Sequence, residues 1–199
     1  FHKISIIMKF MDKIISLDYL LTNFLNRLTP HNTFFDYFFS FFSLKGSSIL
    51  IWILIIVIVV ILEERKNPEI SKKDKKFIFL FSLSFLLTFL LSDIVLKNIF
   101  QRPRPFTTIF NNLQLFSTFS CPTDFSFPSA HAATAFAAAT ILVYFDKKHR
   151  WFYYTVAILI SYSRIYLGCH YFLDVIAGAI IGYIISRLLL FSLDKFPSR

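Results

Sequence analysis

Apolar residues run through this chain in long blocks, broken by short charged or turn-rich stretches. Ile49 to Leu62 contains no polar residue. Extended back through Gly46, Ser47 and Ser48, it reaches about the length that crosses a bilayer. The pattern predicts a first span over Ser47–Leu62 and a second over Phe77–Phe100. A third is predicted over Pro128–Phe145, a fourth over Trp151–Leu167 and a fifth over His170–Phe191. The stretch Ala130 to Ala139 is rich in small residues, and Gly178 and Gly182 form a small-x3-small face; both suit close helix approach. The breaks are the charged loop Glu63–Lys76, the long loop Gln101–Phe127, rich in Pro, Thr, Asn and Ser, and the basic turn Asp146–Arg150.

The first 45 residues read differently. Ile4 to Leu28 mixes Ile, Leu, Met and Phe with Lys9, Asp12, Lys13, Asp18 and Arg27, an amphipathic pattern. It fits a helix lying in the membrane interface, and equally a helix packed on the rim of a bundle. Pro30 ends it. Thr33 to Leu44 is aromatic and too short to span, a composition suited to the headgroup level. The expected fold class is therefore all-α: a polytopic membrane helix bundle of about five transmembrane helices plus an N-terminal interfacial helix. Residues 1–45 form the interfacial region and 46–199 the bundle. No internal repeat is visible. The chain opens with Phe, and no signal peptide with a small-residue cleavage site is read in it.

Composition agrees with a membrane protein. Of 199 residues, 56% are hydrophobic and 17% charged, and Phe alone occurs 27 times; a water-soluble domain is seldom so apolar. The net charge of +9 could suggest nucleic acid, but the basic residues fall largely in loops between apolar runs, so no nucleic-acid partner is expected. The two short basic loops, 63–76 and 146–150, fall on one side of the predicted bundle. The positive-inside rule makes that side cytoplasmic, although Lys3, Lys9, Lys13, Arg27 and Lys45 weigh against it. The loop 101–127 and the turn near Gly168 then face the periplasm or exterior.

Ionisable residues at membrane depth are costly and usually functional, and three groups of them fall on that outer face. Asp93, Lys97, Arg102 and Arg104 close the second span. Phe127-Pro128-Ser129-Ala130-His131 opens the third. Ser163-Arg164-Ile165-Tyr166-Leu167-Gly168-Cys169-His170, continuing to Asp174, joins the fourth and fifth. Spacing of four puts His170 and Asp174 on one face of a helix expected to open at His170. Cations and imidazoles gathered at helix starts suit work on a phosphate.

These three groups resemble the signature of the type 2 phosphatidic acid phosphatase superfamily: Lys-x6-Arg-Pro (Lys97 to Pro105), Pro-Ser-Gly-His (Pro128 to His131) and Ser-Arg-x5-His-x3-Asp (Ser163 to Asp174). Ala130 stands where that pattern has Gly; a position needing positive φ would strain it. The resemblance implies a lipid phosphatase acting through a phosphohistidine on His170. Asp174 would hold the tautomer of His170, and His131 would serve as acid and then base. Lys97, Arg104 and Arg164, with Ser129 and the backbone of Ala130, would bind the phosphate. Ser129 would also cap the third helix. Asp93, one turn before Lys97, either aims that lysine or is a surface charge. Arg102 is a weaker phosphate candidate or a rim contact.

No metal or other cofactor is implied, and no carboxylate cluster for one is found in the sequence. Cys121 and Cys169 are too few for a zinc site. Both fall outside, where an oxidising compartment would let them join and pin the long loop; two free thiols are the alternative. The implied partners are a lipid phosphate and membrane lipids, with no obligate protein partner. Candidate substrates are lipid A 1-phosphate, undecaprenyl diphosphate, phosphatidylglycerophosphate and phosphatidic acid, and the implied location is the bacterial cytoplasmic membrane with the site outward. The rival reading is a non-catalytic phospholipid-binding or transport protein. A transporter would be expected to show repeats and broken midplane helices, which this sequence lacks.

Overall fold

A computed structural model describes residues 2–43, 50–55, 57, 72–105 and 121–195. Among these, all regular structure is helical. The elements are α1 (His2–Leu28), α2 (Thr33–Ser43), α3 (Lys72–Phe89), α4 (Lys97–Phe100), α5 (Ala130–Phe145), α6 (Arg150–Tyr166) and α7 (Phe172–Lys195). A π-helical segment, Leu90–Leu96, joins α3 to α4 without a break. Residues 50–55 are also helical, but most of the expected first span and of loop 63–76 lies outside the described residues, as does 106–120.

Two helical runs, Asp74–Phe100 and Phe172–Ser192, are long and apolar enough to cross a membrane; Ala130–Phe145 is apolar but shorter. The bundle is built around α5. Its alanines Ala132, Ala133, Ala135 and Ala137 are fully buried, because α7 lies directly against them. A methyl at Gly178 would drive into the Ser129 carbonyl, and one at Gly182 into the Ala133 carbonyl. The small-x3-small face thus sets the α5–α7 distance. Ser186 on α7 reaches across this seam to the Ala137 carbonyl of α5 at 3.2 Å, and its hydroxyl meets that of Ser84 on α3 at 2.7 Å. Trp52, Leu80, Ile141, Leu142, Tyr153 and Ile160 fill the core between the other helices. Outward faces are apolar, with Leu86, Ile99, Trp151, Ile158, Ile180, Leu188 and Phe191 exposed, as expected of a surface that meets lipid rather than water.

The N-terminal helix reverses the usual pattern. Its apolar Phe10, Leu17, Leu20 and Phe24 are exposed, while Asp18, Thr22 and Asn26 are buried. These three polar residues, spaced by four, form one stripe that docks on the junction of α6 and α7. The amides of Asn26 donate to the carbonyls of Ile165 and Tyr166 at 3.0 and 2.6 Å. Helix α2 packs on α6, with Asp36 accepting from the Tyr166 hydroxyl at 2.6 Å.

Candidate active site

Every element that carries a site candidate ends at the same end of the bundle, and the local reasons are separable. Helix α6 stops in a Schellman arrangement: Gly168 N–H reaches the Ile165 carbonyl at 3.0 Å and Cys169 N–H reaches that of Arg164 at 2.9 Å. Gly168 has φ 71, a left-handed conformation that glycine takes without a Cβ clash. His170 therefore sits in the turn, and α7 opens at Phe172 rather than at His170. Gln101, at φ 47, turns the chain at the end of α4 so that Arg102 and Arg104 fold back over the bundle. Ser129 caps α5, its hydroxyl accepting from Ala132 N–H at 3.4 Å. Ala130 is the first helical residue and is not left-handed, so replacing glycine brings no strain there.

The geometry around His170 defines its tautomer. Arg104 Nη1 lies 3.2 Å from His170 Nε2. Guanidinium only donates, so Nε2 accepts, and the proton of the neutral ring is on Nδ1. Nδ1 faces Asp174 Oδ2 at 3.6 Å, beyond hydrogen-bond length. The expected direct Asp174–His170 bond is absent: His170 lies in the turn ahead of α7, and the carboxylate oxygens bond other groups. Oδ2 accepts from Tyr171 N–H at 2.9 Å and Oδ1 from Arg102 at 2.6 Å. Arg102 in this arrangement pairs with Asp174 and with Asp18 of α1.

Arg104 is nearly buried and caged. It donates to the carbonyls of Asp124 at 2.7 Å, Phe125 at 3.1 Å and Cys169 at 2.8 Å, and to Asp124 Oδ1 at 2.5 Å. Lys97 pairs with both Asp93 and Asp124. The seven-residue π-helical turn before it, a feature often found at functional sites, sets the direction of both Asp93 and Lys97. Burial pushes the Asp124 carboxyl up, but the Lys97 hydrogen bond and the Arg104 charge outweigh it and hold it below its ordinary value. Asp124 occupies the cations that the sequence pattern assigns to phosphate. Spacing gave no sign of it, since it lies outside the three motif strings. Its segment is tied down by a disulfide between Cys121 and Cys169, with Cα atoms 5.3 Å apart.

His131 lies within electrostatic reach of Arg164, His170, Lys97 and Arg104. Arg164 is fully buried and donates to Ser43 of α2, to its carbonyl at 2.8 Å and to its hydroxyl. Lys97, Arg104, His131, Arg164 and His170 therefore form one electrostatic cluster. Ser129 joins it through its N–H, bonded to the Asp174 carbonyl at 3.0 Å.

A cluster of two imidazoles and three cations at the end of a lipid-facing helical bundle defines a class, and comparison with known proteins supplies the family. Residues 77–196 match the PAP2 superfamily, so the chain belongs to that superfamily. It is similar to an undecaprenyl-diphosphatase of Sulfolobus acidocaldarius, 37% identical over 120 residues, which is 60% of this chain and 56% of that protein. The chain spans about half the length of the relatives it matches first. Among solved structures it resembles Aquifex aeolicus LpxE, with a TM-score of 0.60 and 31% identity, covering 87% of this chain and 94% of that one. It shares its fold with a transmembrane PAP2-type phosphatidylglycerolphosphate phosphatase from Bacillus subtilis, with a TM-score of 0.60 and 22% identity, covering 94% and 89%.

Proposed function

We propose that this chain is an integral membrane lipid phosphatase that works through a phosphohistidine on His170. The observation that carries the reading is the orientation of His170: its unprotonated Nε2 faces Arg104, within electrostatic reach of Lys97 and Arg164. In the first step Nε2 attacks phosphorus and the bond to the lipid oxygen, or to the lipid-bound phosphate of a diphosphate, breaks. His131 gives its proton to the departing oxygen. In the second step water attacks phosphorus, His131 takes its proton, the P–N bond breaks and inorganic phosphate leaves. Lys97, Arg104 and Arg164 neutralise the phosphoryl oxygens, and the capped start of α5 adds N–H groups. These side chains supply the charge neutralisation, so hydrolysis is expected to continue in chelator.

The bundle in this reading has five spans: one that includes the helical residues 50–55, then Asp74–Phe100, α5, α6 and α7. The basic turn 146–150 is cytoplasmic, and the site faces the exterior or periplasm of a bacterial cytoplasmic membrane. Helix α1 lies at the interface, with its exposed apolar face toward lipid. The substrate is a lipid phosphomonoester or diphosphate. Undecaprenyl diphosphate, phosphatidylglycerophosphate, phosphatidic acid and a lipid A phosphate are the ones to compare. The test is phosphate release from these four lipids, side by side in detergent, with and without chelator. Activity that survives chelator and vanishes in His170→Ala supports the reading. Full activity in His170→Ala, or none from the wild-type chain on any of the four, overturns it.

A further inference from the structure

Asp174 is held by Arg102 and the Tyr171 N–H, and what steadies Arg102 reaches outside the three sequence motifs. Arg102 places Nη1 2.6 Å from Asp174 Oδ1 and Nη2 2.6 Å from Asp18 Oδ2. Its guanidinium lies 3.8 Å from the centre of the Tyr171 ring. Asp18 comes from α1, and its side chain is 1% exposed while that of Asp174 is fully buried. The other Asp18 oxygen accepts from Leu173 N–H at 2.8 Å, and Thr22 accepts from Phe172 N–H at 2.9 Å. Helix α1 thus caps α7 from a distance, satisfying N–H groups that a helix start leaves open. Burial works against the Arg102 charge, but Asp174 and Asp18 together hold it more firmly protonated than an ordinary arginine.

Capping alone does not call for a buried carboxylate, because Thr22 caps with a neutral hydroxyl one turn away. Burying Asp18 is expensive and gains most where its charge is needed. We infer that Asp18 and Arg102 are positioning residues for the His170–Asp174 pair. Asp18 draws half of the Arg102 fork away from Asp174. The triad then keeps one net negative charge beside His170, where positive charge grows as Nε2 attacks. Without the Asp18 charge, Arg102 and Asp174 would cancel each other, and the imidazole would lose its electrostatic support. The N-terminal helix is on this view part of the catalytic apparatus, although no motif of the family lies in it. The inference rests on the phosphatase reading above.

The test uses the full chain in detergent, with short-chain phosphatidic acid as the probe. Asp18→Asn keeps the size and the acceptor toward Leu173, and removes both the charge and the acceptor toward Arg102 Nη2. It is expected to lower kcat by roughly 10- to 100-fold, as mispositioned catalytic groups do, with KM within about 2-fold because no phosphate ligand is touched. Asp18→Glu restores the charge and should recover much of the loss. Thr22→Val, a capping change without charge, should stay within about 3-fold of wild type. Removing Arg102 as well, in Asp18→Asn/Arg102→Gln, returns the net charge beside His170 and should give a higher kcat than Asp18→Asn. That double variant also serves if Asp18→Asn alone does not fold.

Wild-type kcat in a folded Asp18→Asn overturns the inference and leaves the phosphatase reading intact. So does a Thr22→Val loss equal to that of Asp18→Asn, or a double variant no better than the single. A wild-type chain inactive on phosphatidic acid and on the other three lipids overturns both.

Discussion

The two ends of helix α5 carry the same kinds of side chain and use them in opposite ways. At the far end, Asp146 accepts from the Tyr153 hydroxyl at 2.7 Å and lies 2.6 Å from His149 Nδ1, with the His149 side chain 55% exposed. Water can replace those partners. At the site end, Asp18, Asp174, Arg102, Arg104, Lys97 and Asp124 share their contacts where most of them are buried. There, solvent cannot replace a partner lost by the buried Asp18, Asp174, Arg104 or Lys97, whereas the Asp124 side chain, 41% exposed, keeps access to water. The lesson is that the value of an ion pair is set less by its distance than by what remains when one member goes.

The sharpest way to break that contrast is Arg104→Ala. It removes the group on His170 Nε2 and, in the proposed mechanism, a phosphate-binding cation, and kcat/KM for a lipid phosphate should fall by roughly 100- to 1000-fold. Steady-state kinetics on protein confirmed folded by size-exclusion chromatography checks this. Next is Gly178→Val. The new side chain meets the Ser129 carbonyl, so α7 must retreat from α5 at a cost of about 1–3 kcal/mol. A lowered Tm in detergent, with activity lost through the displaced Ser129 cap, is the expected result.

Asp124→Asn should act with two signs. Removing the carboxylate that competes for Lys97 and Arg104 lowers KM by roughly 2- to 10-fold. It also removes a pH-dependent part of stability. The native carboxyl titrates below its ordinary value of 3.8, so its stabilisation is present above that value and is lost as pH falls through the depressed native one. A Tm–pH profile should therefore show a weaker acid-side decline in the variant than in wild type. The smallest effect is Asp146→Asn. His149 and Tyr153 hold this carboxyl low against its partial burial, so the sign of the pH effect is the same. Its stability change should stay under about 1 kcal/mol, with kinetics unchanged. A loss at Asp146 as large as at Arg104 would contradict the contrast drawn here.

Hydrophobic run lengths alone marked the helices α3 to α7 to within a few residues, because a lipid-facing helix is apolar whatever its neighbours do. The motifs holding Lys97, Arg104, His131 and His170 were legible as a family signature, and residues 77–196 match the PAP2 superfamily. The Gly178 and Gly182 seam was legible for the same reason: only a missing Cβ allows that approach. Three things were decided by tertiary structure. The polar stripe of Asp18, Thr22 and Asn26 looks like the wet side of an interfacial helix until α7 supplies N–H groups for the first two and α6 supplies carbonyls for Asn26. Asp124 is the one carboxylate of the loop Gln101–Phe127, and its partners Lys97 and Arg104 are named only by the fold. Asp174 stands four residues after His170, yet its oxygens go to Arg102 and the Tyr171 N–H, because the turn at Gly168 starts the helix two residues late. A sequence states which charges exist; which of them share a dry place depends on backbone paths that meet only once the chain is packed.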